Sequence, residues 1–487
     1  KYKLLSTVFA EITPIQNLTI RGQFGADYSH STAFMQSFPS YIINNNSGKA
    51  GRSSSDILSL SETLTANYRW ALNDDHSFNF LLGQEGIDQS SGFQVSTQGQ
   101  NNDRLTNLLT GTRATSWPDS NSAYSYLSFF FRGEYNYKDL YYAEVAARTD
   151  ASSRFGADHR WGMFWSLGFM WNIKNEAFLK DIEWLTSAQV KLSTGTSGNS
   201  EIPYYDHLAL VSGDANYNDE AGIYPSQSGN EELSWEQTWA NNVGVSFGLY
   251  NRVNVNVDFY HKKTTNMLML VPQSYAITGV GNRWDNIGAM MNRGVEIAID
   301  GDVIRTKDFT WNLSANVSYN KNKLLELYNG VEEYVNSTTG LKYVVGHSVR
   351  EYFMNRYAGV NPANGDALWY TADGELTTEF REEDKVMTGK SFDSPWVGGF
   401  GTSLMWKGLS LSAQFSWMAK RYVMNNDRFF EESNGLYSAY NQSKRLLYDR
   451  WKKPGDITDI PRYGVTAQLD DRFLENSSFL RLKNLTL

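Results

Sequence analysis

The chain has 487 residues, of which 41% are hydrophobic, with a mean hydropathy of -0.48, no cysteine and a formal net charge of -9. These values exclude a disulfide framework and a thiolate metal site, and the acidic balance (pI near 5.3) argues against a nucleic-acid binder. No run of 18 apolar residues occurs, so no transmembrane helix is expected, yet aromatics reach 14%, with 29 Tyr and 15 Trp. A polar, aromatic-rich chain fits a membrane β-barrel with girdles of Tyr and Trp at both interfaces. It equally fits a large soluble β-protein with a sugar-binding surface.

Taken in chain order, the pattern is one of strands. Leu18, Ile20, Phe24 and Tyr28 alternate with Asn17, Thr19, Arg21, Gln23 and Asp27. Strands near 1–12 and 17–29 meet at the tight turn Thr13–Gln16, and a long Ser- and Asn-rich loop is expected over 30–54. Strands near 55–71 and 76–88 meet at Asn73–Asp75, and a second long loop runs to about 121. Strands near 122–136 and 140–149 flank Tyr137–Asp139, and 161–172 follows the loop 150–160. A helical turn at Glu176–Trp184 leads to a strand near 185–195, and a loop of about 40 residues runs to Glu232. Beyond it, Tyr250-Asn251 joins two strands. In the second, Val253, Val255, Val257 and Phe259 alternate with Asn254, Asn256, Asp258 and Tyr260. After the loop 267–282 and the short link Gly301–Lys307, Phe309–Tyr319 and Leu409–Trp417 repeat the alternation. Side chains on a strand alternate between faces, so each segment has one apolar and one polar face.

Short and long connections take turns, as in outer-membrane barrels with brief periplasmic turns and long extracellular loops. To keep the Lys407-Gly408 turn on the periplasmic side, 321–394 is read as one large extracellular excursion holding a small hairpin, Tyr352–Tyr370. About fifteen spanning strands remain, the last being Ser478–Leu487. An odd count cannot close a bacterial barrel, because open sheet edges are costly in lipid, so the chain is expected to be part of a larger one.

The segment Arg148–Gly156 (RTDASSRFG), followed by Arg160–Phe164, resembles a strand–loop–strand motif of the SusC-like (SusC/RagA) TonB-dependent outer-membrane transporters. Further resemblances follow in order: Lys191–Asn199, Leu233–Glu236, Asp285–Gly288 with Asn292–Glu296, Gly359–Gly365, and the closing Ser478–Leu487. The resemblance implies an all-β transmembrane antiparallel barrel of twenty-two strands, about fifteen of them in this chain. The plug domain, the first strands and the last two would lie outside it. It further implies active nutrient import across the outer membrane. A SusD-like lipoprotein would cap the mouth, and the TonB complex would act through the plug region. The cargo would be an oligosaccharide or, as a variant, a peptide. No enzymatic activity and no cofactor are implied.

No catalytic constellation stands out. The six histidines are scattered without metal-ligand spacing. Asp214–Glu220 begins like a calcium loop, but has Asp219 where glycine is needed and Pro225 where a glutamate is needed, so a solvated acidic loop is expected. The charge run Glu379–Lys385 reads as an exposed face or a partner contact. Aromatics in the expected extracellular loops, Trp117, Tyr204, Tyr205, Trp369 and Tyr370, are the candidate substrate-binding residues, because aromatic faces stack on sugar rings and also anchor partners; the plainer alternative is that they pack the long loops together. Trp70, Trp171 and Trp406, near strand ends, read as girdle residues. The rival reading is a secreted β-rich carbohydrate-active enzyme or binding module. It would need a carboxylate pair about 5–10 Å apart, which nothing in the sequence singles out.

Overall fold

A computed structural model describes the chain except residues 42–46, 105–107, 109–113, 117–118, 336–340 and 438–439. Among the described residues fifteen strands follow one another in chain order through one antiparallel sheet, and a short sixteenth, Ala114–Ser116, pairs beside the fourth. The strands of this path are β1 Tyr2–Ile15, β2 Leu18–Ser37, β3 Gly48–Asn73, β4 His76–Gln100, β5 Asp119–Tyr137, β6 Tyr141–Ser152, β7 Trp161–Asn172 and β8 Leu185–Asn199, then β9 Glu236–Leu249, β10 Val253–Thr265, β11 Ala289–Arg305, β12 Phe309–Glu326, β13 Trp396–Trp406, β14 Leu409–Ala419 and β15 Phe479–Thr486. The expected count of about fifteen matches the fifteen strands on this path. The chain divides into two compact units. The first comprises Lys1–Asn175, Lys191–Asn241 and Thr264–Ile287, and the second Glu176–Val190, Asn242–Lys263 and Gly288–Leu487.

The alternation becomes rows of paired side chains. On one face of β12 and β13, Phe309 meets Trp406, Trp311 Leu404, Leu313 Thr402, Ala315 Phe400, Val317 Gly398 and Tyr319 Trp396. On the other face Asn312 meets Ser403, Ser314 Gly401 and Asn316 Gly399. The apolar row is therefore 11 residues long from Phe309 to Tyr319, matching the roughly 9–11 residues a tilted strand needs to cross a bilayer core. Aromatics close both ends, with the Tyr319 and Trp396 ring centroids 4.6 Å apart. In the first unit, Trp70 stacks on Phe78 and Tyr141 on Trp171 beside the short turns, where girdle residues are expected.

The turns explain the register. Lys138-Asp139, Tyr250-Asn251 and Lys407-Gly408 all have positive φ at both positions. This is the left-handed two-residue geometry whose twist matches that of the flanking strands. Where β3 and β4 leave the apolar band, the structure differs from the sequence reading. The two strands are 26 and 25 residues long, β2 runs to Ser37, and β5 begins at Asp119, so much of the loop expected at 30–54 and beyond 88 is paired strand. Ala33 faces Ser53 and Ser55 faces Phe93 in register. Past the membrane both faces of a strand meet water, so Ser, Gly and Gln carry the ladder and no apolar stripe marks it in the sequence. The helical turn expected at Glu176–Trp184 is present as a single turn, in which the Leu179 and Lys180 N–H groups reach the Glu176 carbonyl at 3.0 and 2.9 Å, preceded by a 3-10 turn at Ile173–Asn175.

Val255 and Asn256 point to opposite faces of β10. Val255→Arg is expected to cost about 2–4 kcal/mol if it lies near the bilayer midplane, while Asn256→Arg costs little. Folded yield in outer membranes, read by heat-modifiable gel migration, checks this. Equal losses would contradict the assignment of faces.

Candidate functional site

At the long-loop end of the first unit, segments far apart in sequence meet. Arg148 on β6 donates through Nε to Asp150 (2.6 Å) and through Nη2 to Glu85 on β4 (2.7 Å), on the polar face. Ser152, the last residue of β6, and Phe155 just beyond it are both fully buried. Phe155 packs with Ile202 and Leu233, and Trp235, Leu268 and Trp284 close around them. Gly156 cannot be larger, because a Cβ there would sit 2.2 Å from the Glu231 carbonyl oxygen. The Trp235 indole N–H donates to the Arg160 carbonyl at 2.8 Å. Asn286 accepts from Ser234 N–H (2.7 Å) and donates to the Ser234 carbonyl (2.8 Å), acting as a backbone clip across the core. Phe155, Leu233 with Trp235, and Asn286, each from a segment that carries the family resemblance, meet in one loop core.

Arg154 fastens the loop 200–207 to this core. Its guanidinium lies 4.6 Å from the Tyr124 ring and 4.9 Å from the Tyr204 ring, and Nη1 donates to the carbonyls of Ser200 (3.3 Å) and Ile202 (3.1 Å). Such cation–π contacts are strengthened where the cation is desolvated. The Tyr205 hydroxyl accepts from Ala123 N–H at 3.0 Å, beyond the end of the β6 pairing, and so caps a backbone donor. Under this roof lies a cavity of about 410 Å³ lined by Glu85, Tyr126, Arg148, Asp150, Arg154 and Trp235. It offers two guanidiniums, carboxylates and aromatic faces side by side, suited to a ligand with many polar groups and some flat surface.

Asp206, in the same loop, is buried, and its Oδ2 has no hydrogen-bond partner. Burial raises its carboxyl above the ordinary range. The folded chain therefore holds this proton more tightly than the unfolded chain, and stability is lost as pH rises through that window. Asp206→Asn is expected to raise the thermal midpoint at neutral pH and to lose that advantage in acid below the ordinary carboxylate range. Melts at both pH values check it.

In the second unit the loops form a separate core of Phe429, Ala467 and Phe473, packed by Met424, Phe430 and Tyr437. The strand Arg356–Val360 pairs with Ala367–Tyr370, while Glu351–Met354 pairs with Val386–Ser391. Trp369 is buried, and its indole N–H donates to Asp470 at 2.8 Å. Asp470 also accepts from Arg472 Nε (2.9 Å) and Nη2 (3.0 Å), and the Arg472 guanidinium lies 3.9 Å from the Tyr357 ring. Burial raises the Asp470 carboxyl and the Tyr357 phenol. Gly365, with φ +80, ends the Gly359–Gly365 turn against Trp451, leaving no room for a Cβ.

The structure thus distributes the five loop aromatics. Tyr204 and Tyr205 sit beside the first-unit cavity, joined edge to face. Tyr370 is partly exposed under the Arg356 guanidinium, Trp369 is interior, and Trp117 lies outside the described residues. The charged lining, Glu85, Arg148 and Asp150, was missed. The one available signal was Arg148 and Asp150 two apart on a strand, hence on one face. Asp214–Glu220 is a hairpin turn with positive φ at Asn218 and Asp219. Among the described residues no three His, Asp or Glu side chains could hold a metal.

A sequential antiparallel sheet that is apolar on one face across a bilayer's width and polar on the other, with long docked loops at one end, is the wall of an outer-membrane β-barrel. Residues 9–449 match the family described as TonB dependent receptor-like, beta-barrel, and the chain belongs to that family. The relatives it resembles are TonB-dependent receptors, SusC among them, and barrels of this family lie in the outer membrane. The TonB-dependent receptor SusC of Bacteroides thetaiotaomicron is 27% identical over 97% of this chain and 48% of its own length. The TonB-dependent receptor P39 of Formosa agariphila is 27% identical over 86% of this chain and 45% of its own. The structure of the RagAB peptide transporter superposes with a TM-score of 0.88 at 34% identity, covering 99% of this chain and 55% of that one. The chain spans about half the length of the curated relatives it matches.

Proposed function

We propose that the protein containing this chain imports a bulky nutrient across the outer membrane, an oligosaccharide or a peptide, together with a SusD-like surface lipoprotein and with energy from the TonB complex. The carrying observation is the loop-roofed cavity on the polar face, where Arg148, Glu85, Asp150, Tyr126 and Trp235 offer polar and aromatic contacts together. Tyr204, Tyr205 and Tyr370 are the loop aromatics proposed to contact cargo, with Trp117; Trp369 acts through packing. Nearer the short turns, a groove of about 680 Å³ with Arg69, Asn79, Glu134, Tyr142, Glu144 and Lys191 in its lining is proposed to pack against the plug. The peptide reading is favoured by the likeness to the RagAB peptide transporter, and the oligosaccharide reading by the loop aromatics, whose faces can stack on sugar rings.

A deletion strain is expected to lose growth on one class, oligosaccharides or oligopeptides, as sole carbon source and to keep growth on the monomers. Unchanged growth on every oligomer of both classes contradicts import. Purification from mild detergent is expected to carry a lipoprotein in about equal amount, and its absence contradicts the partner.

A further inference from the structure

On the apolar face of β10, β11 and β12, the first positions beyond the upper end of the apolar row are basic. Lys321 and Lys323 follow Tyr319 at successive outward positions of β12, and Arg293 on β11 lies directly opposite Lys321. On β10, His261 and Lys263 follow Phe259 at the same parity. The Asp302 N–H donates to the Arg252 carbonyl at 2.9 Å, and a Cβ on Gly301 would approach Val253 at 3.0 Å. Each pair lies the same number of residues along its strand, and this offset sets His261 opposite Arg293. The row His261–Arg293–Lys321 therefore crosses three adjacent strands about 4.8 Å apart, with Lys263 and Lys323 one step higher. All but Lys323 are exposed, and none of the five makes an ion pair among the described residues.

Like charges directly opposite on a sheet repel. Here they stand at the level where lipid headgroups begin, on the side the apolar row turns to hydrocarbon, away from the polar face. We infer that this basic row binds the phosphate of an anionic lipid headgroup in the outer leaflet, anchoring the barrel wall to its surrounding lipid. The inference rests on the placement of the sheet in the membrane and is independent of the cargo.

The test uses the full-length receptor in phosphatidylcholine vesicles doped with a monophosphorylated diglucosamine glycolipid or with its dephosphorylated form. The phosphorylated lipid is expected to bind and to raise the melting midpoint, and the dephosphorylated one to do neither. Each cation removed should weaken binding about fivefold, so R293Q/K321Q/K323Q should lose about a hundredfold. Lys321→Gln alone, expected to lose about fivefold, serves if the triple variant does not assemble. Equal binding of both lipids, or undiminished binding by the variants, overturns the proposal. Inorganic phosphate giving the same stabilisation without the glycolipid overturns the lipid as its source.

Discussion

Asp470→Ala is expected to destabilise the loop core of the second unit by about 3–5 kcal/mol, because it strands the Arg472 charge in a dry site. Asp470 is fully buried and the Arg472 side chain nearly so. Both carboxylate oxygens are used, one by Arg472 Nε and backbone N–H, the other by Arg472 Nη2 and the Trp369 indole. Removing the acid leaves the guanidinium against the Tyr357 and Phe473 rings with no counter-charge and leaves the indole N–H without an acceptor. The double variant D470L/R472M should recover most of the loss, since replacing both partners removes the stranded charge. Proteolytic cleavage within 351–477, measured while heat-modifiable migration shows the strands intact, should be much faster in D470A and near wild type in the double variant. Equal cleavage in D470A and wild type would show that the pair is not what holds these loops.

Phe155→Ala should cost about 3–5 kcal/mol in the first unit, the sum of lost transfer energy and the cavity left behind. Phe155 is fully buried between Ile202 and Leu233, with its ring 5.5 Å from that of Trp235. Because Arg154 is its neighbour, the vacancy should also loosen the contacts of that guanidinium with Tyr124, Tyr204 and the carbonyls of Ser200 and Ile202. Trp235, hydrogen-bonded to Arg160, reports the change, and its fluorescence should shift to the red as water enters. Ile223→Ala, at a side chain 76% exposed, should leave both stability and fluorescence unchanged. If F155A melts like wild type, the loop roof does not depend on this core.

The strands were legible because hydrocarbon tolerates only apolar side chains and a strand alternates its faces, so β10, β12 and β14 wrote their orientation into every second residue. The extensions of β3 and β4 were not legible, since water on both faces imposes no such alternation. The loop cores were hidden for a different reason. Phe155 meets Leu233, and Trp369 meets Asp470 101 residues later, so no local pattern records either contact. Trp369 looks in sequence like any loop aromatic, and only its distant carboxylate makes it interior. The resemblance to SusC-like proteins marked the right segments, but a motif such as Arg148–Gly156 does not reveal that its arginine lines a cavity while its phenylalanine seals a core.

The most direct measurement is a nitroxide scan of β12 from Trp311 to Ser318 in the assembled receptor in lipid vesicles. The account predicts a period of two. Labels at 311, 313, 315 and 317 should collide freely with oxygen dissolved in the bilayer, while labels at 312, 314, 316 and 318 should be shielded from it. A scan without alternation, or with the asparagine and serine positions facing the lipid, would contradict the assignment of the apolar face to hydrocarbon.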